Sequence, residues 1–88
     1  MKWVVLGSQF PFSMPKLPVI KPRKILSVLG RLGFYVHHQS GSHIVLHHSH
    51  KTHLHVVVAY HNKDIAPKTL KSILTQAEIT IEEFIDLL

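Results

Sequence analysis

The stretch FYVHHQSGSHIVLHHSHKTHLHVVVA, Phe34 to Ala59, decides the fold. Its apolar residues alternate with polar ones and are β-branched, and two polar interruptions divide it, so it reads as three short strands. Phe34 to Gln39 is the first. Ser40 and Gly41 make a turn, Ser42 to His48 is the second, and Ser49 to Thr52 lead to a third around Leu54 to Ala59. In the second strand Ile44 and Leu46 point opposite to His43, Val45 and His47, which sets an aliphatic face for helices to cover and an imidazole face for water. The third strand, with Val56, Val57 and Val58 in succession, is apolar on both faces and is expected in the middle of the sheet or under cover.

Outward from the strands, the period changes to that of helices. Pro22 suits a first helical position, and Ile25, Val28, Leu29 and Leu32 recur at one face until Gly33 supplies a left-handed stop. After a loop from Tyr60 to Ala66, Pro67 opens a second helix with Leu70, Ile73, Leu74 and Ala77 as its stripe. Thr80 followed three residues later by Glu83 is a capping box, with Ile79 and Phe84 placed as a hydrophobic staple, so a third helix starts there. The expected fold is α+β, in the order α-β-β-β-α plus a C-terminal helix. Residues 1–20, with Pro11, Pro15 and Pro18 and no clear period, read as an N-terminal extension outside the core, and 21–88 as a single domain.

Composition limits the function. The 88 residues hold one small core, and no run is long and apolar enough for a membrane span, which points to a cytoplasmic protein. The absence of Cys excludes disulfides, thiolate metal sites and thiol nucleophiles. Ten Lys and Arg against five Asp and Glu give a net charge of +5, which suits a polyanionic partner, nucleic acid or an acidic protein.

The order of elements and several residues resemble the HicA toxin family, small ribonucleases of bacterial toxin–antitoxin pairs. The likeness is carried by Leu32, Gly33 and Phe34, by Gly41, Ser42 and His43 with His48 closing the strand, by Thr69, Leu70, Ser72, Ile73, Gln76 and Ala77, and by Glu82, Glu83, Phe84 and Leu87. It runs from about Pro22 to Leu88. The resemblance implies a double-stranded-RNA-binding-domain-like fold, a toxin that cleaves mRNA with one catalytic His and no cofactor or metal, and inhibition by an acidic HicB-type antitoxin. A homodimer or a hetero-oligomer with that antitoxin is compatible with it. The chain departs from the family's pattern at Ser40, where a basic residue is frequent, at Ala59, where Pro is frequent, and at Lys68, where Gly is frequent.

Metal-free RNA cleavage needs a base for the 2′-hydroxyl proton, an acid for the leaving 5′ oxygen, and cations or N–H groups around the phosphorane. His43, at the strand start, is the candidate base, because imidazole titrates near working pH. Gly41 and Ser42 let an RNA backbone approach it. Lys63, Lys68 and Lys71 surround the start of the second helix, whose N–H groups and dipole also suit phosphate. His47 shares the face of His43 but lies two pleats, roughly 13 Å, away, too far to act on the same phosphate. Two other readings compete: a noncatalytic RNA-binding module, and a metal-binding protein built on His47, His48, His50, His53 and His55.

Overall fold

The computed structural model describes residues 17–88, and the elements follow the order α1 (Pro22–Arg31), β1 (Phe34–Ser40), β2 (His43–His48), β3 (His55–Ala59), α2 (Pro67–Ala77) and α3 (Ile81–Asp86). Most of the extension expected over 1–20 lies outside the described residues. Of the rest, Leu17 and Ile20 pack against the core, and the Ile65 N–H donates to the Ile20 carbonyl at 2.9 Å.

The strands form one antiparallel sheet in the order β1-β2-β3. Helices cover the aliphatic face: Ile25, Val28 and Leu29 of α1, Leu70, Ile73 and Leu74 of α2, and Phe84 of α3 bury against Phe34, Ile44, Leu46, Val56 and Val58. Removing each such side chain from water stabilises the fold by roughly 1.5–3 kcal/mol. Among the described residues no polar or charged residue is buried in this core.

Three local devices set the ends. α1 stops at Gly33, whose φ of 101° is open to glycine and costly for other residues. α2 stops with Glu78 at φ 57°, and its last carbonyls are met by Glu78 N–H on Thr75 and Ile79 N–H on Leu74, both at 3.1 Å. That is the Schellman pattern with a glutamate in the glycine position. α3 starts at the expected capping box, Thr80 N–H to Glu83 Oε1 at 2.8 Å and Glu83 N–H to Thr80 Oγ1 at 3.0 Å.

Two expectations need correction. β2, not β3, is the central strand, and Val57 is 44% exposed on the uncovered face. The edge of β3 is instead met by a side chain: Gln76 Oε1 accepts from Val57 N–H at 3.1 Å while Gln76 Nε2 donates to Ser72 Oγ at 3.2 Å. The loop of the first hairpin is Gly41 and Ser42, since Ser40 already pairs with His43, and Gly41 takes the positive φ of 58°.

The β1–β2 register also shifts between Val36 and His38, with His37 the extra residue. Such a bulge bends the strand and changes which side chains reach a face.

Candidate active site

Alternation along β2 sends His43 to the uncovered face, at the end of the sheet where β3 finishes at Ala59 and the chain enters the loop to α2. Its partners across the sheet are Ser40 on β1 and Ala59 on β3, both small, so the exposed ring stands clear on either side. No histidine occupies either cross-strand position. The turn before it is braced twice, by Gln39 Nε2 donating to the Gly41 carbonyl at 3.0 Å and by Tyr60 N–H donating to the Ser42 carbonyl at 2.6 Å. Gly41 and Ser42 are both exposed beside the ring.

A cavity of about 220 Å³ adjoins Ala59 and is lined by His61, Lys63, Asp64 and, at the start of α2, Ala66 and Thr69. A second, of about 110 Å³, shares His61 and adds Lys21, Arg23, Tyr60 and Asn62 at the start of α1. The fold therefore gathers cations from the start of α1 and from the loop before α2 near the Ala59 end of β3, which pairs with His43. Lys63 belongs to this group. Lys68 and Lys71 are exposed on α2 but do not line either cavity.

Lys21, Arg23, Tyr60 and His61 join this group only through the fold. The Lys21-Pro22-Arg23-Lys24 run was the available signal, but only folding shows that it meets the loop after β3. Lys21 is tied there by Nζ to the Asn62 carbonyl at 2.9 Å and to Asp64 at 3.3 Å. His61 Nδ1 accepts from Lys63 N–H at 3.2 Å, which leaves Nε2 as its protonated nitrogen when the ring is neutral.

The other histidines separate into two kinds. His48 is structural: Nε2 meets the Leu32 carbonyl at 2.8 Å, and Nδ1 accepts from His50 N–H at 3.0 Å and Lys51 N–H at 2.9 Å. Its ring also meets Phe34 edge-on, with centroids 4.9 Å apart.

On the uncovered face, which also carries His43, the rings of His37, His47 and His55 form a stack across all three strands. Centroids are 3.9 Å apart for His37 and His47 and 4.2 Å for His47 and His55, with planes within 14° and 16° of parallel. His38 touches His37 through the two Nδ1 atoms at 3.0 Å. Partial withdrawal from water, followed by repulsion from His37, His55 and His38, lowers the pKa of His47.

The metal-binding reading requires nitrogens that converge. Parallel rings aim their lone pairs side by side, and among the described residues no group of three or more His, Asp or Glu is placed to hold an ion. His53, expected to share a strand face with His55, instead lies before β3 and pairs with Glu78 at 3.6 Å.

A helix, an antiparallel three-stranded sheet and helices on one face make this an α+β domain of the double-stranded-RNA-binding type. Residues 22–79 match the family model described as the HicA toxin of bacterial toxin–antitoxin systems. The chain belongs to that family. Membership implies a toxin with an antitoxin as partner and, in general terms, ribonuclease activity. No curated protein matches the chain. Among the described residues no helix is long and apolar enough to cross a membrane.

Proposed function

We propose that this toxin cleaves mRNA at His43 without a metal ion. The observation that carries the reading is the placement of an exposed imidazole between Ser40 and Ala59, at the sheet end to which the start of α1 brings Lys21 and Arg23 and the loop before α2 brings Lys63. His43 takes the proton of a ribose 2′-hydroxyl, the 2′ oxygen bonds to phosphorus, and the bond from phosphorus to the 5′ oxygen breaks. The products are a 2′,3′-cyclic phosphate and a 5′-hydroxyl. Gly41 and Ser42 give the RNA backbone room beside the ring, and the cations, with Lys68 and Lys71 further along α2, hold phosphates. The leaving 5′ oxygen takes up a proton from the His43 imidazolium formed in that step or from water, which returns the ring to its neutral state.

The inhibitor in this reading is an acidic HicB-type antitoxin that covers His43 and the neighbouring cations, forming a hetero-oligomer with the toxin. Charge supports it: the chain carries +5, and β1, β2 and β3 contain no Asp or Glu. A cytoplasmic location follows from the substrate.

Incubating purified toxin with RNA in excess chelator tests the proposal. Cleavage by the wild type with cyclic phosphate ends, lost in His43→Gln, is the expected result. Tight RNA binding without products would instead identify a noncatalytic binding module.

A further inference from the structure

The stack of His37, His47 and His55 is not used by the chemistry at His43, although it lies on the same face of the sheet. Face-to-face contact between rings on neighbouring strands points each ring's faces across the sheet. The ring edges, which carry the nitrogens, are left to look off the surface or along the strands. The result is a ridge of imidazole edges crossing the sheet, at the opposite end of β2 from His43.

We propose that this ridge is a second contact site for the RNA strand cleaved at His43, gripping a phosphate downstream or upstream of the scissile one through its imidazole edges. The inference rests on the ribonuclease reading for the identity of the ligand. Three observations support it.

The separation along β2 is roughly 13 Å, a span that a few nucleotides of extended strand bridge. Between the sites lie Val45, the exposed Val57 and, opposite Val45 on β1, the exposed His38, a row without a carboxylate to repel a phosphate. Lastly, the groups facing His47 are His37, His38 and Tyr35 from β1 and His55 from β3, and none of the three strands carries a carboxylate. Glu78, at the end of α2, is paired with His53.

Binding of a phosphate supplies the negative charge that such a row lacks. Partial withdrawal from water and then repulsion from the neighbouring rings disfavour protonation of His47 in the free protein; a bound phosphate offsets the repulsion, so the site takes up a proton as it binds. An acidic polypeptide would meet the same charge. RNA is favoured because the ridge lies in line with His43 along one strand, so a nucleic acid threaded through that site reaches it.

The test uses the full chain and a labelled, unstructured 2′-O-methyl RNA, which lacks the nucleophile and stays intact. Anisotropy at constant ionic strength gives Kd at pH 8 and pH 6 for wild type and for His47→Gln/His55→Gln. For each ring whose pKa rises by one unit on binding, wild-type affinity increases by up to about tenfold on acidification. The double variant is expected to lose most of that gain. An equal gain in both proteins overturns the proposal, as does a Kd that pH does not change. Binding of polyglutamate but not RNA that depends on His47 and His55 also overturns it and assigns the face to an acidic protein. If the double variant fails to melt cooperatively, His55→Gln alone, on the edge strand, carries the same comparison. Because the probe cannot be cleaved, failure of catalysis by His43 is read only from the cleavage assay above.

Discussion

A Cβ placed on Gly33 would lie 2.8 Å from Nε2 of His48. The ring cannot swing aside without cost, because its two nitrogens hold the Leu32 carbonyl and the N–H groups of His50 and Lys51. One imidazole thus joins the end of α1 to the loop after β2, and the helix terminator beneath it has to be glycine for reasons of both space and φ.

Gly33→Ala is therefore expected to destabilise the protein by about 1–3 kcal/mol, the scale of a strained backbone conformation. His48→Ala should cost a similar amount, about 1–3 kcal/mol, by leaving backbone groups without partners. The double variant should cost less than the sum, since the collision disappears with the ring. Urea denaturation of the four proteins measures the coupling; strict additivity would contradict the contact.

His43→Gln should leave the melting temperature within the scatter of the wild type, because the ring is exposed between small neighbours. RNA cleavage should fall by on the order of 10² to 10⁴, the range for loss of a general base. Single-turnover cleavage with a parallel melt decides the point, and a folded variant with full activity removes His43 from the mechanism.

Replacing Lys63, Lys68 and Lys71 together by Ala should weaken binding of 2′-O-methyl RNA and flatten its dependence on salt. Each lost phosphate contact lowers the slope of log K against log salt by about 0.7 for a single strand. An unchanged slope would mean that these lysines are only solvated charge.

The folded state holds the His47 pKa below that of the unfolded chain, so the unfolded chain binds the proton more readily. The stabilising contribution of the neutral ring is complete above the unfolded value of about 6.5 and is lost as pH falls through the folded one. Wild type should therefore lose more stability between pH 7.5 and pH 5 than His47→Gln does, as chemical denaturation at the two pH values would show.

Thr80→Ala should cost about 1 kcal/mol by removing one side of the capping box. The Glu83 carboxyl is held below its usual pKa by hydrogen bonds from the Thr80 backbone and then its side chain. That contribution is present above the ordinary carboxylate range and disappears as pH drops through the folded value. Thr80→Ala keeps the backbone N–H and loses only the side chain's share, so the difference between the two proteins should shrink in acid by that share, a trend that thermal melts from pH 7 to pH 3 would reveal.

Much of the architecture was readable from short-range pattern. The stripe Ile25, Val28 and Leu29, the prolines at 22 and 67, and the Thr80–Glu83 spacing each state a local rule, and each is obeyed. The alternation that placed His43 opposite Ile44 is similarly local.

What stayed hidden depends on partners distant in the chain. Val56, Val57 and Val58 suggest cover on both sides, but the position of β3 at the edge is a matter of pairing order, which composition does not encode. The role of His48 depends on a carbonyl sixteen residues earlier. Tyr60 and Lys21 matter only because the start of α1 meets the loop after β3. Two adjacent histidines, being alike in polarity, also conceal which of them is the extra residue in β1.

The extra residue has an evolutionary corollary. Pairs on either side of His37 stay in step if it is removed, Val36 opposite Leu46 and His38 opposite Val45, so loss of that single codon would restore an uninterrupted ladder and spare the hydrophobic layer. The imidazole row would then lose its β1 member while every other histidine, His43 among them, remained, making chain length in β1 a genetic setting for the row.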